Sequence, residues 1–224
     1  MFGQMKNSLG VCAVLAAVHC QAQVTMYQET FDGVHNWTLN VPTGVNGADN
    51  NFWTVSSAEA GVVVGGCATT GGTDRTLHVT SVFNPSGGAD YDTGGLCGIL
   101  FCPQTARRAE SPAFSTVGQD IVVLSFEFIA NGQDLVDNAS VVYDIGNGWI
   151  PVLDSIKSDL CGPGQGRWTS SVVALPNDAA NQPLVRVGIN WTNNDDSQGT
   201  RPSVAINNVR IIGIPPEIFA NGFE

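Results

Sequence analysis

The chain has 224 residues, 43% of them hydrophobic and 13% charged, with nine Lys and Arg against twenty Asp and Glu, for a formal charge of −11. That balance excludes recognition of phosphate backbones, which depends on basic patches, and it disfavours anionic lipid surfaces. It fits bound calcium, whose ligands are carboxylate and carbonyl oxygens, although an acidic surface also serves solubility alone.

At the N-terminus Lys6 precedes an apolar run from Leu9 to Val18, too short to span a bilayer but suited to the core of a signal peptide. Cys20 and Ala22 supply the small residues wanted before a cut after Ala22. Residues 1–22 are therefore expected to be an export signal. The mature chain, 23–224, is expected to be secreted, extracellular or at the cell surface, with the periplasm as a further compartment, and without membrane insertion.

Removing the signal leaves four cysteines, Cys67, Cys97, Cys102 and Cys161. An even number in an oxidising compartment predicts two disulfides. Three pairings are possible. The short spacing of Cys97 and Cys102 favours a small loop between them, with Cys67 meeting Cys161. No Cys-x-x-Cys pair and no nearby His points to a metal site at these cysteines.

Alternation of apolar and polar residues dominates the mature chain, and no helical stripe is sustained. Short candidate strands occur at Met26 to Phe31, Trp37 to Val41 and Phe52 to Val55. Clearer ones follow at Leu77 to Phe83, Ile121 to Ile129, Ser140 to Ile145, Trp168 to Leu175, Val185 to Trp191 and Val204 to Ile212. In Val185 to Trp191 the apolar residues share one face and Arg186, Gly188 and Asn190 the other, as a half-buried antiparallel strand requires. Turns rich in Gly, Asn and Asp separate the strands. The expectation is an all-β, two-sheet antiparallel β-sandwich, a jelly roll, over 23–213. Pro215 and Pro216 end the last strand and leave 214–224 as a short tail.

Catalytic signatures are sparse. The mature chain holds only His35 and His78, in no His-Glu-x-x-His frame, and no Gly-x-Ser-x-Gly elbow occurs. A glycan-active hydrolase needs only two acids about 5 to 10 Å apart, for which Glu110, Glu127 and Asp137 can be nominated. No catalytic residue is assigned, and a non-catalytic role is expected. Carbohydrate binding needs an exposed aromatic face beside amides or carboxylates. Trp149, after a Gly-Asn-Gly turn, and Tyr91, between two aspartates, are the candidate ligand-binding residues, while Trp37, Trp53, Trp168 and Trp191 are expected in the core.

Several segments in order carry a resemblance: Glu29-Thr-Phe-Asp-Gly33 with Trp37, Phe52-Trp-Thr-Val-Ser56, Ala109-Glu-Ser-Pro112, Leu124-Ser-Phe-Glu-Phe128, Asp137-Asn-Ala139 and Val204-Ala-Ile-Asn-Asn-Val-Arg210. Together they resemble bacterial secreted jelly-roll modules of the cleaved-adhesin or MAM-like type. The resemblance implies a secreted or cell-surface module that binds calcium structurally and serves adhesion or carbohydrate binding, with a glycan or a cell-surface protein as partner. It points to Glu29, Asp32 and Asn207 as calcium ligands, although Asn207 and Asn208 stand where that family usually has carboxylates. Asp90 and Asp92, in a glycine-rich loop, are a second candidate calcium site. The tail from Ile218 to Glu224 resembles the C-terminal endings of exported proteobacterial proteins. The alternatives are a structural protein-interaction module of the cell surface, and a glycan-active hydrolase.

Overall fold

The computed structural model describes residues 23–95 and 102–216. The expected export signal, Cys97 and the tail beyond Pro216 lie outside the described residues. The strands in chain order are β1 (Val24–Glu29), β2 (Thr38–Pro42), β3 (Phe52–Ser56), β4 (Glu59–Ala60), β5 (Thr69–Thr70), β6 (Thr76–Thr80), β7 (Thr105–Glu110) and β8 (Ile121–Gly132). They continue with β9 (Asn138–Asp144), β10 (Trp149–Leu153), β11 (Leu160–Gly162), β12 (Gln165–Gly166), β13 (Thr169–Ala174), β14 (Arg186–Asn193) and β15 (Thr200–Ile214). Among the described residues the helical structure is one 3-10 turn, Asn177–Ala179, and no helix is long and apolar enough to cross a membrane.

Two antiparallel sheets make the β-sandwich that the alternation implies. A six-stranded sheet runs β13-β8-β15-β6-β3, with β1 beside the second half of β15, and a five-stranded sheet runs β10-β9-β14-β7-β2. Between them lies a core that includes Trp37, Trp53 and Trp191. In β14 the residues Val187, Ile189 and Trp191 face this core, as their spacing requires.

The strand β7 escapes periodicity reading, because Thr105-Ala-Arg-Arg-Ala-Glu110 gives the main core only Ala109, and its outward Arg108 and Glu110 are an ion pair. In β10, Trp149 belongs to a strand paired with β9 rather than to a turn. β15 breaks strict alternation: Val204, Ile206, Val209 and Ile211 are all buried, and the register slips between Asn207 and Arg210. A bulge with Asn208 in the left-handed region, φ 49°, turns both halves of the strand inward.

A second, smaller core sits under the loops on the other face of the six-stranded sheet. It joins Ala68, Ala89, Ile129, Trp168 and Ala205, so Trp168 is buried as expected but outside the main core. Cys67 and Cys161 form a disulfide, the pairing that sequence spacing favoured. It ties the β11–β12 hairpin to the loop before β5, where Cys67 also bridges Arg167. Cys102 is disulfide-bonded as well.

Where β14 leads into β15, Tyr91 Oη donates to Asp137 Oδ2 at 2.9 Å and the Asn194 amide donates to Asp137 Oδ1 at 3.1 Å. Gly199 makes this arrangement possible: at φ 120°, a Cβ there would lie 2.0 Å from Tyr91 Oη. Gly199→Ala therefore combines backbone strain with a clash against a buried, hydrogen-bonded phenol. It is expected to cost at least about 2 kcal/mol, read as the loss in urea-unfolding free energy. A variant as stable as the parent would refute the packing described for this corner.

Candidate functional site

Residues marked as metal ligands from the sequence are only partly assembled. Asp32, in the turn after β1, and Asp74, in the turn before β6, bring their carboxyls into hydrogen-bond contact. Asn207, at the β15 bulge, donates through Nδ2 to Asp74 Oδ2 at 3.0 Å. Burial, then the neighbouring Asp32, and more weakly Glu127 hold the Asp74 carboxyl above its ordinary range. Gly61 closes over the group, since a Cβ there would come within 2.2 Å of Asp74 Oδ2 and 2.3 Å of Asn207 Nδ2. Asp32 also accepts from the Arg75 amide at 3.1 Å. Glu29 serves a different purpose: its Oε1 accepts the Phe31 amide at 2.8 Å and closes the turn in which Phe31 sits at φ 64°. Among the described residues no group of three or more His, Cys, Asp or Glu side chains is arranged to hold a metal.

The second candidate pair is engaged by separate donors. Asp90 forms an ion pair with Arg201 and accepts from Asn84 Nδ2 at 2.8 Å. Asp92 accepts from the Gly94 amide at 3.0 Å. Asp90 is thus engaged by a guanidinium and a side-chain amide, and Asp92 by a backbone amide.

Both aromatic candidates are engaged by side chains of the protein itself. Tyr91 is 1% exposed and packs edge-on against Trp191, with ring centres 5.0 Å apart. Its ring is therefore not a surface for stacking, a correction to the expected exposed face. Burial and Asp137 push its phenol well above the ordinary value. Trp149 is half-buried on the outer face of the five-stranded sheet, with Arg108 4.0 Å and Arg186 5.0 Å from its ring centre. Its ring edge lies over Gly188, where an added Cβ would meet Cζ3 at 2.8 Å. The same two arginines bind Glu110, and Arg186 also binds Asp144, so this is a neutralised platform held by cation–π contacts.

The nominated acids are dispersed. Glu110 belongs to that platform, Glu127 on β8 accepts Asn208 Nδ2 at 2.8 Å, and Asp137 is held by Tyr91 and Asn194.

A cleft of about 760 Å³ lies at the loop end of the sandwich. Its walls are the loop after β6, the β11–β12 hairpin and the start of β15. Its lining includes two large exposed apolar side chains, Phe83 at 53% and Leu160 at 43% exposure. Asn84, Asp90, Asp92 and Arg201 bring amide, carboxylate and guanidinium groups to the same space. Sequence reading placed Phe83 at the end of a strand. β6 instead stops at Thr80, and the following Asn84-Pro-Ser-Gly-Gly88 was the turn signal that puts Phe83 in a loop. Asp74, Glu59 and Arg201 carried no periodic or motif signal, because only the tertiary fold brings them beside their neighbours.

No protein-family profile and no curated protein matches the chain. Solved structures give distant likenesses. The K3 cleaved adhesin domain of Lys-gingipain from Porphyromonas gingivalis w83 is 12% identical, over 84% of this chain and 98% of that one, with a TM-score of 0.46. The carbohydrate-binding module TmCBM27, described for specific mannan recognition, is 14% identical, over 86% and 98%, with a TM-score of 0.42. The Stig cyclase Fisc from Fischerella sp. TAU is 13% identical, over 88% and 100%, with a TM-score of 0.48.

One wall of the cleft depends on a covalent tie, because Cys161 lies in β11 next to Leu160. Cys161→Ser is expected to lower stability by about 2–4 kcal/mol, measured by urea unfolding. An unchanged midpoint would show that the hairpin is held without the disulfide.

Proposed function

We propose that the chain is a secreted, non-catalytic glycan-binding or adhesion module, stabilised by calcium, whose ligand lies in the cleft between the loop after β6, the β11–β12 hairpin and β15. The observation that carries this reading is the convergence of exposed Phe83 and Leu160 with Asn84, Asp90, Asp92 and Arg201 in one concavity. A sugar ring offers an apolar face and a belt of hydroxyls. The aromatic ring covers the first, and the amide, carboxylates and guanidinium hydrogen-bond the second. The motif resemblance, running from Glu29 to Arg210, points to the same class of module and the same compartment, and the Cys67–Cys161 disulfide suits an oxidising one.

Calcium belongs at Asp32, Asp74 and Asn207. Two carboxyls in contact repel each other once ionised, and a divalent cation between them removes that penalty. A half-turn of the Asn207 amide presents its oxygen in place of its nitrogen, and backbone carbonyls and water complete the shell. Glu29 is left to the turn at Phe31.

The reading makes two checks available. Chelator is expected to lower the melting temperature of residues 23–224, with calcium but not magnesium restoring it. Free ion a hundredfold above the dissociation constant contributes about 2.7 kcal/mol. Asp74→Asn is expected to abolish the calcium response, and a chelator-insensitive parent would remove the metal from the reading. On a panel of immobilised glycans, Phe83→Ala is expected to weaken the selected ligand at least tenfold with an unchanged circular dichroism spectrum. Equal binding by parent and variant, or no glycan bound at all, would reject the cleft as the site.

A further inference from the structure

The inner end of the cleft opens on a smaller cavity of about 230 Å³, and the two share Asp90, Pro163, Gly164 and Arg201 as walls. Glu59, on β4, also lines this inner cavity. It is 5% exposed, its Oε2 accepts the Ala89 amide at 3.1 Å, and its Oε1 has no hydrogen-bond partner within the protein. A buried carboxyl oxygen without a donor is costly, so a donor supplied from the cavity is favoured.

The loop that closes the cavity is shaped around its two acids. A Cβ on Gly88 would lie 2.7 Å from Glu59 Oε2, and one on Gly87 would lie 3.0 Å from Asp90 Oδ2. The backbone therefore approaches both carboxyls with no side chain between. Asp90 and Arg201 are the other charged groups lining the cavity. When Glu59 is ionised, two carboxylates face one guanidinium and a single negative charge is left over. Burial pushes the Glu59 carboxyl up to about 7, against the weaker opposing pull of the Ala89 amide. A neighbouring cation would shift it towards the charged form.

Resting on the reading of the cleft as a glycan site, we infer that the inner cavity receives a protonated amine of the bound sugar, so that the ligand class is an amino sugar with a free ammonium group. An ammonium has three donors and no acceptor, which suits Glu59 Oε1 and Asp90. Its one positive charge balances the one left over. A hydroxyl would donate to Glu59 but leave that charge uncompensated, and a sulfate or carboxylate would be repelled. The acidity of the whole chain adds a long-range attraction for cationic ligands.

The test is calorimetric titration of residues 23–224 at pH 7 with a glucosamine tetrasaccharide and with its fully N-acetylated counterpart. The free amine is expected to bind at least tenfold more tightly. Glu59→Gln keeps an acceptor for the Ala89 amide and is expected to erase that preference while leaving affinity for the acetylated sugar unchanged, which also shows that the cleft is intact. The comparison of the two sugars on the parent chain stands without any variant. Equal affinities on the parent, a preference that survives Glu59→Gln, or binding of neutral glycans alone would overturn the inference and leave the glycan reading in place. If no glycan of either kind binds, both fall together.

Discussion

The pairing of β15 with its neighbours is the constraint on which the rest of the molecule depends. This strand lies inside the six-stranded sheet, bonded to β8 along one edge and to β6 and then β1 along the other. Its buried residues Val204, Ile206, Val209 and Ile211 fix it against the core, and slipping it by one residue would expose them all. Both parts of the functional reading hang from it. Thr200 and Arg201 at its start line the cleft, and Asn207 at its bulge meets Asp74. The bulge itself requires a residue that tolerates the left-handed region, and Asn208 is one of the few types that does so readily.

A second constraint is electrostatic. With twenty acids and nine bases, not every carboxylate finds a protein cation. Some are neutralised internally, such as Glu110 and Asp144 by Arg108 and Arg186. Asp137 relies on hydrogen bonds from Tyr91 and Asn194 instead. Other acids meet in two places, at Asp32 with Asp74 and at Glu59 beside the Asp90–Arg201 pair. These two places carry the calcium and ammonium proposals, since a cation beside clustered carboxyls offsets their repulsion.

The loops that build the cleft are not loosely attached. The small core under them, with Trp168 and Ile129, gives them an apolar floor, and the Cys67–Cys161 bridge ties the β11–β12 hairpin to the loop before β5. Binding surfaces placed on loops need such a scaffold, because ordering a mobile loop on binding subtracts from affinity. Trp149, on the outer face of the five-stranded sheet, covers Gly188 and stacks with the guanidinium groups of Arg108 and Arg186.

By itself the sequence determined the β-sandwich, because a period of two across strands such as Val185 to Trp191 is a local property that side-chain burial alone enforces. It also favoured the Cys67–Cys161 pairing that the structure contains. It could not reveal β7, whose charged residues satisfy one another across the sheet, nor the bulge that lets both Ile206 and Val209 face inward. The cleft, the Asp32–Asp74 contact and the buried Glu59 were decided only by the tertiary structure. They arise between residues far apart in the chain, and burial, orphaned acceptors and unbalanced charge exist only once the loops have closed over the sheet.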